Sequence, residues 1–259
     1  MARNATGLAM FRLDGKRAFV TGAATGLGQA IAVALADSGA DVVVSDLETG
    51  ALDETAARLE PTGRRVVKLA VDVRDPAQIK AGVAEAEDRF GGIDILVNNA
   101  GINRPTPGLQ VTVDLWNDHF DTNVRGGFLM AQAVAPGMIE RRHGRIIFIA
   151  SQSGLIAVPG QPVYCASKGA VIQLARALGI DWAAYGITVN SIAPTFIETR
   201  MTARRLQDPE FRKFVLGKIP CGRLAKPENI AAAAVYLASD EAALVNAETH
   251  SVDGGWTAW

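Results

Sequence analysis

Cysteine is nearly absent from this 259-residue chain: Cys165 and Cys221 are the only two. They form neither a disulfide framework nor a recognisable metal-ligand spacing. Histidine is as scarce, and His119, His143 and His250 are scattered without a paired spacing, so no metal site is assigned and a catalytic zinc is not expected. An excess of charge of one sign is missing too. With 26 Lys and Arg against 27 Asp and Glu, the formal net charge is −1, which is not the basic footprint of a nucleic-acid binder. Apolar runs such as Ile146 to Ala150 are far too short to span a membrane. The opening stretch, MARNATGLAMFRLDGK, holds arginines but too few apolar residues for a secretory signal. These absences lead to the expectation of a soluble, reduced, cytoplasmic protein with neither nucleic acid nor membrane as partner.

Apolar residues are 49% of the chain and glycines number 26. The length is within reach of one α/β domain covering 1–259, with a large core. Short β-branched runs alternate with alanine-rich helical stretches. Strands are predicted at Arg17–Thr21, Asp41–Asp46, Val66–Asp72, Ile93–Asn98, Arg145–Ser151, Thr188–Ile192 and His250–Asp253. Helices are predicted near 27–37, 76–89, 112–142, 162–184 and 227–238. Most of the strand runs are continuously apolar, as strands covered on both faces require. The pattern predicts a doubly wound parallel sheet of about seven strands with helices on both faces, a Rossmann-type α/β fold. Ser38-Gly39 closes the first helix and Asp75-Pro76 opens another. Segment 195–226 breaks the rhythm with charge and turns, and is expected to be a substrate loop or lid.

The stretch VTGAATGLGQAIAVAL joins the first strand to the first helix, where a doubly wound sheet binds a dinucleotide. Gly22, Gly26 and Gly28 let the backbone approach a pyrophosphate, with Thr25 and Leu27 between them, and the helix N-terminus offers free N–H groups. A tight turn using glycine for its own conformational freedom is the alternative. Asp46 ends the second strand, followed by Leu47. Its carboxylate can accept hydrogen bonds from both hydroxyls of an adenosine ribose and would repel a 2′-phosphate. No Lys or Arg lies among Ala23, Ala24 and Thr25 or directly after Asp46, so NAD is favoured over NADP.

In YCASK, Tyr164 and Lys168 are four apart and share a helical face. Ser151 ends an earlier strand, at the edge where such sheets bind ligands. A free tyrosine titrates near pH 10, and a nearby ammonium favours its phenolate. That phenolate can take a proton from an alcohol while Ser151 holds the substrate oxygen.

Taken together, the sequence resembles the short-chain dehydrogenase/reductase family over residues 13–259. The matching motifs are TGAATGLG from Thr21 to Gly28, Asp72-Val73, NNAG from Asn98 to Gly101, Asn123, Ser151 and YCASK; VNSIAPTFIET, IPCGRLAKPE and VDGGW extend the match. The resemblance implies that Asp72 meets the adenine amino group and Val73 lies along the ring. Asn99, Ala100 and Gly101 would line the adenosine ribose and cleft. Lys168 would also hold the nicotinamide ribose, Asn123 would hold a relay water, and Pro194, Ile197 and Thr199 would cradle the carboxamide and pyrophosphate. Thr195 departs from the family's usual glycine, and Asn246-Ala247 from a frequent Thr-Gly. The resemblance further implies a four-helix dimer interface from 112–142 and 162–184, closed into a homotetramer by the C-terminal segment. Cys165 reads as a small packing residue, and Trp256 and Trp259 as subunit-interface residues.

Within the family the chain is most similar to sugar-acid and polyol dehydrogenases of the gluconate 5-dehydrogenase kind. Asn103, Ser153, Gln161 and Thr195, beside Ser151, are candidate contacts to a polyhydroxylated substrate. Two other readings are a 3-oxoacyl-carrier-protein reductase and a non-catalytic nucleotide-binding protein. Asp46 and Tyr185 speak against the first, and the complete Asn–Ser–Tyr–Lys set against the second.

Overall fold

The computed structural model describes residues 10–198 and 200–258. Seven strands, β1 Arg17–Thr21, β2 Asp41–Asp46, β3 Val66–Ala70, β4 Ile95–Asn98, β5 Gly144–Ile149, β6 Ile187–Pro194 and β7 Thr249–Val252, form one parallel sheet in the order β3-β2-β1-β4-β5-β6-β7. The order reverses direction between β1 and β4, and this places a crevice beyond their carboxyl ends.

Side chains leave successive strand residues toward opposite faces, and both faces are covered. From β1, Ala18 and Val20 join a core with Ile31 and Leu35 of α1 (Gly26–Asp37) and with Ile230 and Leu237 of a late helix, Pro227–Ala238. Phe19 points the other way, into a core with Leu96, Phe148, Met130, Met138 and Val171. That second face is built from α2's sequel in the chain: α2 is Asp53–Leu59, α3 Pro76–Phe90, α4 Val113–Phe120, α5 Gly126–Arg141 and α6 Pro162–Trp182, of which α3, α5 and α6 carry its buried residues. Asp75 caps α3, its carboxylate accepting from the backbone N–H of Ala77 and Gln78.

Three expectations need correction. The helix predicted at 112–142 is interrupted by a π-helical turn, Asp121–Arg125, which separates α4 from α5 and carries Asn123. A single π-turn shifts the helical phase by only about one residue, too little for the apolar pattern to reveal it. No helix was predicted at α2, a short run that buries Thr55 and Leu59. Segment 195–226, expected to be a substrate loop or lid, is largely helical. It folds into α7 (Arg200–Leu206) and α8 (Pro209–Lys218), followed by α9 (Pro227–Ala238), and its apolar residues Leu206, Val215, Ile219 and Leu224 form a small third core with Trp256. Trp256 stacks on Phe196 at 5.7 Å inside its own chain, where an interface residue was expected. Trp259 lies outside the described residues.

Candidate active site

A cleft of about 730 Å³ opens at the sheet's carboxyl edge, from Asp46 at one end to Ser151, Tyr164 and Lys168 at the other. Its floor is the loop between β1 and α1. Gly22 and Gly26 have φ of 64° and 61°, a left-handed backbone that favours glycine. A Cβ on Gly28 would collide with the Gly22 carbonyl and the Asn99 amide, so no other residue fits there. Thr21 braces the loop from beneath: its Oγ1 accepts from the backbone N–H of Asn99 and of Ala100, each at 3.1 Å. Asn99 Nδ2 donates to the carbonyls of Thr21 and Gly22. The sequence reading passed over Thr21 as a functional support, although it opens the glycine motif.

The N-terminus of α1 has no side-chain cap and no acidic residue in its first turn, and Thr25, Gly26, Leu27 and Gly28 line the cleft. Uncapped N–H groups beside glycines fit a pyrophosphate. Asp46 is held at the rim by two backbone donors, Ala24 N at 3.0 Å and Leu47 N at 2.9 Å. Leu47, Val73, Ala100, Gly101, Pro194 and Ile197 line the same cleft; Thr199 lies outside the described residues. Asp72 also lines it, and Arg74 grips its carboxylate at 2.7 Å and holds it below the usual carboxylate range. The residues present therefore fit a nicotinamide dinucleotide.

At the other end, Ser151 lies just past β5, and its Oγ accepts from Ser153 N at 3.1 Å. Tyr164 and Lys168 come from α6, with the Lys168 ammonium 5.8 Å from the Tyr164 ring centre. Lys168 is buried, and its Nζ donates to the Ile149 carbonyl at 2.8 Å. Burial pushes its pKa down to about 8, and pushes that of Tyr164 up to about 12 against the opposing pull of its hydrogen bond with Ser151. In both groups desolvation is the largest cause of the shift.

Asn123 sits in the π-turn, where its Oδ1 accepts from Ile102 N at 2.7 Å and its Nδ2 donates to Ile102 O and Ser167 Oγ. Both Nδ2 hydrogens are taken, so a relay water would have to bind an acceptor of this residue. His119, read from the sequence as an isolated histidine, is fully buried and accepts from Arg104 N through Nε2. Its Nδ1 contacts the Leu115 carbonyl at 2.8 Å, which fixes the hydrogen on Nδ1. Of the candidate substrate residues, Thr195 and Ser151 line the cleft; Ser153 supports Ser151, and Asn103 Nδ2 donates to Gln161 Oε1 at 2.7 Å. Among the described residues, no group of three or more His, Cys, Asp or Glu side chains is placed to hold a metal.

The comparisons with known proteins agree with this geometry. A family model described as enoyl-(acyl carrier protein) reductase matches residues 22–257. The chain is 42% identical to a D-threitol dehydrogenase of Mycolicibacterium smegmatis over 248 residues, 95% of each chain. It is 41% identical to a 3-oxoacyl-[acyl-carrier-protein] reductase of Vibrio cholerae, over 94% of this chain and 98% of that one. The crystal structure of a gluconate 5-dehydrogenase from Burkholderia cenocepacia, in complex with NADP and tartrate, superposes with a TM-score of 0.93 at 40% identity, covering 96% of this chain and 98% of that one. With the glycine loop, the strand-end serine and the Tyr–Lys pair in one cleft, the chain belongs to the short-chain dehydrogenase/reductase family, oxidoreductases that act on secondary alcohols.

Proposed function

We propose that the protein is an NAD-dependent dehydrogenase that interconverts a secondary alcohol and a ketone on a sugar acid, sugar or polyol. One observation carries the reading: a single cleft has Asp46 at one end and Ser151, Tyr164 and Lys168 at the other. A nicotinamide dinucleotide held along the β1–α1 loop, Asp46 and Lys168 would supply the hydride acceptor and, when oxidised, a positive charge in the cleft. The chain's residues manage the proton. Ser151 donates a hydrogen bond to the substrate oxygen, steadying the charge that builds there. Tyr164 takes the hydroxyl proton. Lys168 faces the Tyr164 ring and would hold the nicotinamide ribose. Asn123 fixes the backbone of Ile102 beside the reacting end and offers an acceptor to the water that carries the proton away.

Asp46 supports NAD. Among the described residues, the cations lining the cleft are Arg74, Arg104 and Lys168; Arg74 is paired with Asp72 and Arg104 with Asp118 at 2.5 Å. Neither arginine is ion-paired with Asp46, while the structural relative from Burkholderia cenocepacia is described with NADP. A second reading, a ketoreductase of acyl-carrier substrates, draws on the Vibrio cholerae relative. An oxidation screen of polyols, sugar acids and simple secondary alcohols with NAD and NADP separates the readings. The proposal expects oxidation with NAD at the higher kcat/KM. Efficient NADPH-dependent reduction of 3-oxoacyl thioesters, with no polyol or sugar-acid oxidation, overturns it.

A further inference from the structure

The strap that runs from β4 toward α4 starts at the reacting end of the cleft. Gly101, Ile102 and Arg104 line the cleft together with Ser151, Tyr164 and Lys168. A Cβ on Gly101 would stand 3.1 Å from Asn123 Oδ1 and 3.5 Å from Lys168 Nζ, so the backbone passes directly beside that ammonium. The next three residues are each tied to a different element. Ile102 is bonded at both its N–H and its carbonyl by Asn123 of the π-turn. Asn103 Nδ2 donates to Gln161 Oε1, at the residue from which α6 starts. Arg104 is tied to α4 twice: its backbone N–H donates to His119 Nε2 at 3.1 Å, and its guanidinium pairs with Asp118.

The two ties on Arg104 are unequal. The side chains of Arg104 and Asp118 are 58% and 38% exposed, and an ion pair so open to water holds a backbone loosely. The His119 side chain is fully buried. Its Nδ1 hydrogen goes to the Leu115 carbonyl, which leaves Nε2 as the acceptor that the Arg104 N–H meets. His119 is also the buried residue of α4, a place where packing alone asks for an apolar side chain. A polar ring there carries a desolvation cost unless its nitrogens are bonded, and both are.

Resting on the dehydrogenase reading above, we infer that His119 is a positioning residue: it fixes the backbone of Arg104 and so holds the strap from Gly101 to Arg104 against Lys168 at the reacting end of the cleft. His119 itself does not line the cleft and acts only through the strap. Releasing the strap alters the surroundings of Lys168 and leaves the β1–α1 loop and Asp46, at the other end, in place.

The test compares His119→Phe, which keeps a ring but no acceptor, with His119→Gln, whose side-chain oxygen can take the place of Nε2. Hydrogen exchange of the protein without cofactor, read on a peptide spanning residues 101–105, should be faster by about tenfold or more in His119→Phe and natural in His119→Gln. NADH bound to His119→Phe should fluoresce more like free NADH than it does on the natural protein, with Kd nearly unchanged, because the far end of the cleft still holds it. With saturating NAD and a secondary alcohol from the oxidation screen, kcat should fall by about ten- to a hundredfold in His119→Phe and recover in His119→Gln, while the KM for NAD stays nearly constant. If His119→Phe does not fold, His119→Met, pliant and without a strong acceptor, gives the same readings. Natural exchange at the strap in the variant without an acceptor overturns the inference. So does bound NADH whose emission the variant leaves unchanged, a kcat that stays natural, or a loss that His119→Gln fails to recover. If the natural protein oxidises no alcohol, the dehydrogenase reading falls, and exchange and NADH emission decide the role of His119 by themselves.

Discussion

Tyr164 and Lys168 face each other in a site that, left to itself, opposes the ionisation of both. Burial holds the phenol at about 12 and the ammonium at about 8. Alcohol oxidation needs the deprotonated phenol, so its rate should rise with pH, and ketone reduction, which needs the protonated phenol, should fall. Tyr164→Phe should bind NAD as the natural protein does while kcat drops by about 10²–10⁴-fold, the usual loss for an acid–base group; near-normal turnover would remove Tyr164 from the mechanism. The lysine allows a separate test through stability. Its folded pKa lies below its unfolded value near 10.4, so between about pH 8 and 10 the unfolded chain binds more protons and stability from this residue grows with pH. Lys168→Met cannot follow that change. Its stability relative to the natural protein, measured by urea unfolding without cofactor, should therefore be greatest at pH 7 and decline toward pH 10. A pH-independent difference would show that the ammonium is not desolvated. At the far end of the cleft, Asp46→Ala combined with Leu47→Arg should move the kcat/KM preference from NAD toward NADP. Natural enzyme that already uses NADP as well as NAD would sink the role given to this carboxylate.

Between residues and fold, the β1–α1 loop shows what a motif conceals. The glycines were legible because each is dictated by backbone geometry alone. Thr21 was not, because its importance lies in two N–H groups seventy-odd residues away in the chain, at Asn99 and Ala100. Thr21→Val keeps the shape and the strand preference but strands both donors. It should cost about 2 kcal/mol in denaturant unfolding, while Thr21→Ser, which keeps the hydroxyl, should lose much less. Equal losses would mean the methyl group, not the hydroxyl, matters. The π-turn at Asp121–Arg125 was hidden for a different reason: inserting it shifts the helical phase by only a fraction of a turn, within a single predicted helix. His119 was hidden for a third, since a buried histidine bonded to Arg104 N and Leu115 O looks, in sequence, like any other lone histidine.

At the scale of the whole molecule, the alternation of apolar strands and helices was enough to read the parallel sheet, because both faces of every central strand must be covered and crossovers of one hand leave little choice of order. Sequence patterning could not say which apolar residues face the chain's own core and which face another copy. Trp256 illustrates the ambiguity: it is 6% exposed, buried against Phe196 in its own subunit. Other apolar residues remain uncovered. On α4, Val113 is 75% exposed and Trp116 45%, the latter stacked on Phe120 at 4.7 Å, and on α6 Ile180 is 71% exposed. An isolated exposed leucine or valine is ordinary, but such residues on the helices flanking the catalytic face are placed as an interface between copies would place them. We propose that α4, α5 and α6 pack against their counterparts in a two-fold dimer and that the C-terminal segment joins two dimers into a tetramer. Light scattering at micromolar concentration should give about four times the monomer mass. Trp116→Glu together with Val113→Glu introduces charges that a closed interface cannot solvate, and should reduce the assembly without unfolding the subunit, as followed by far-ultraviolet circular dichroism. A natural protein that runs as a monomer, or a double variant that stays fully assembled, would place the contact elsewhere or abolish it.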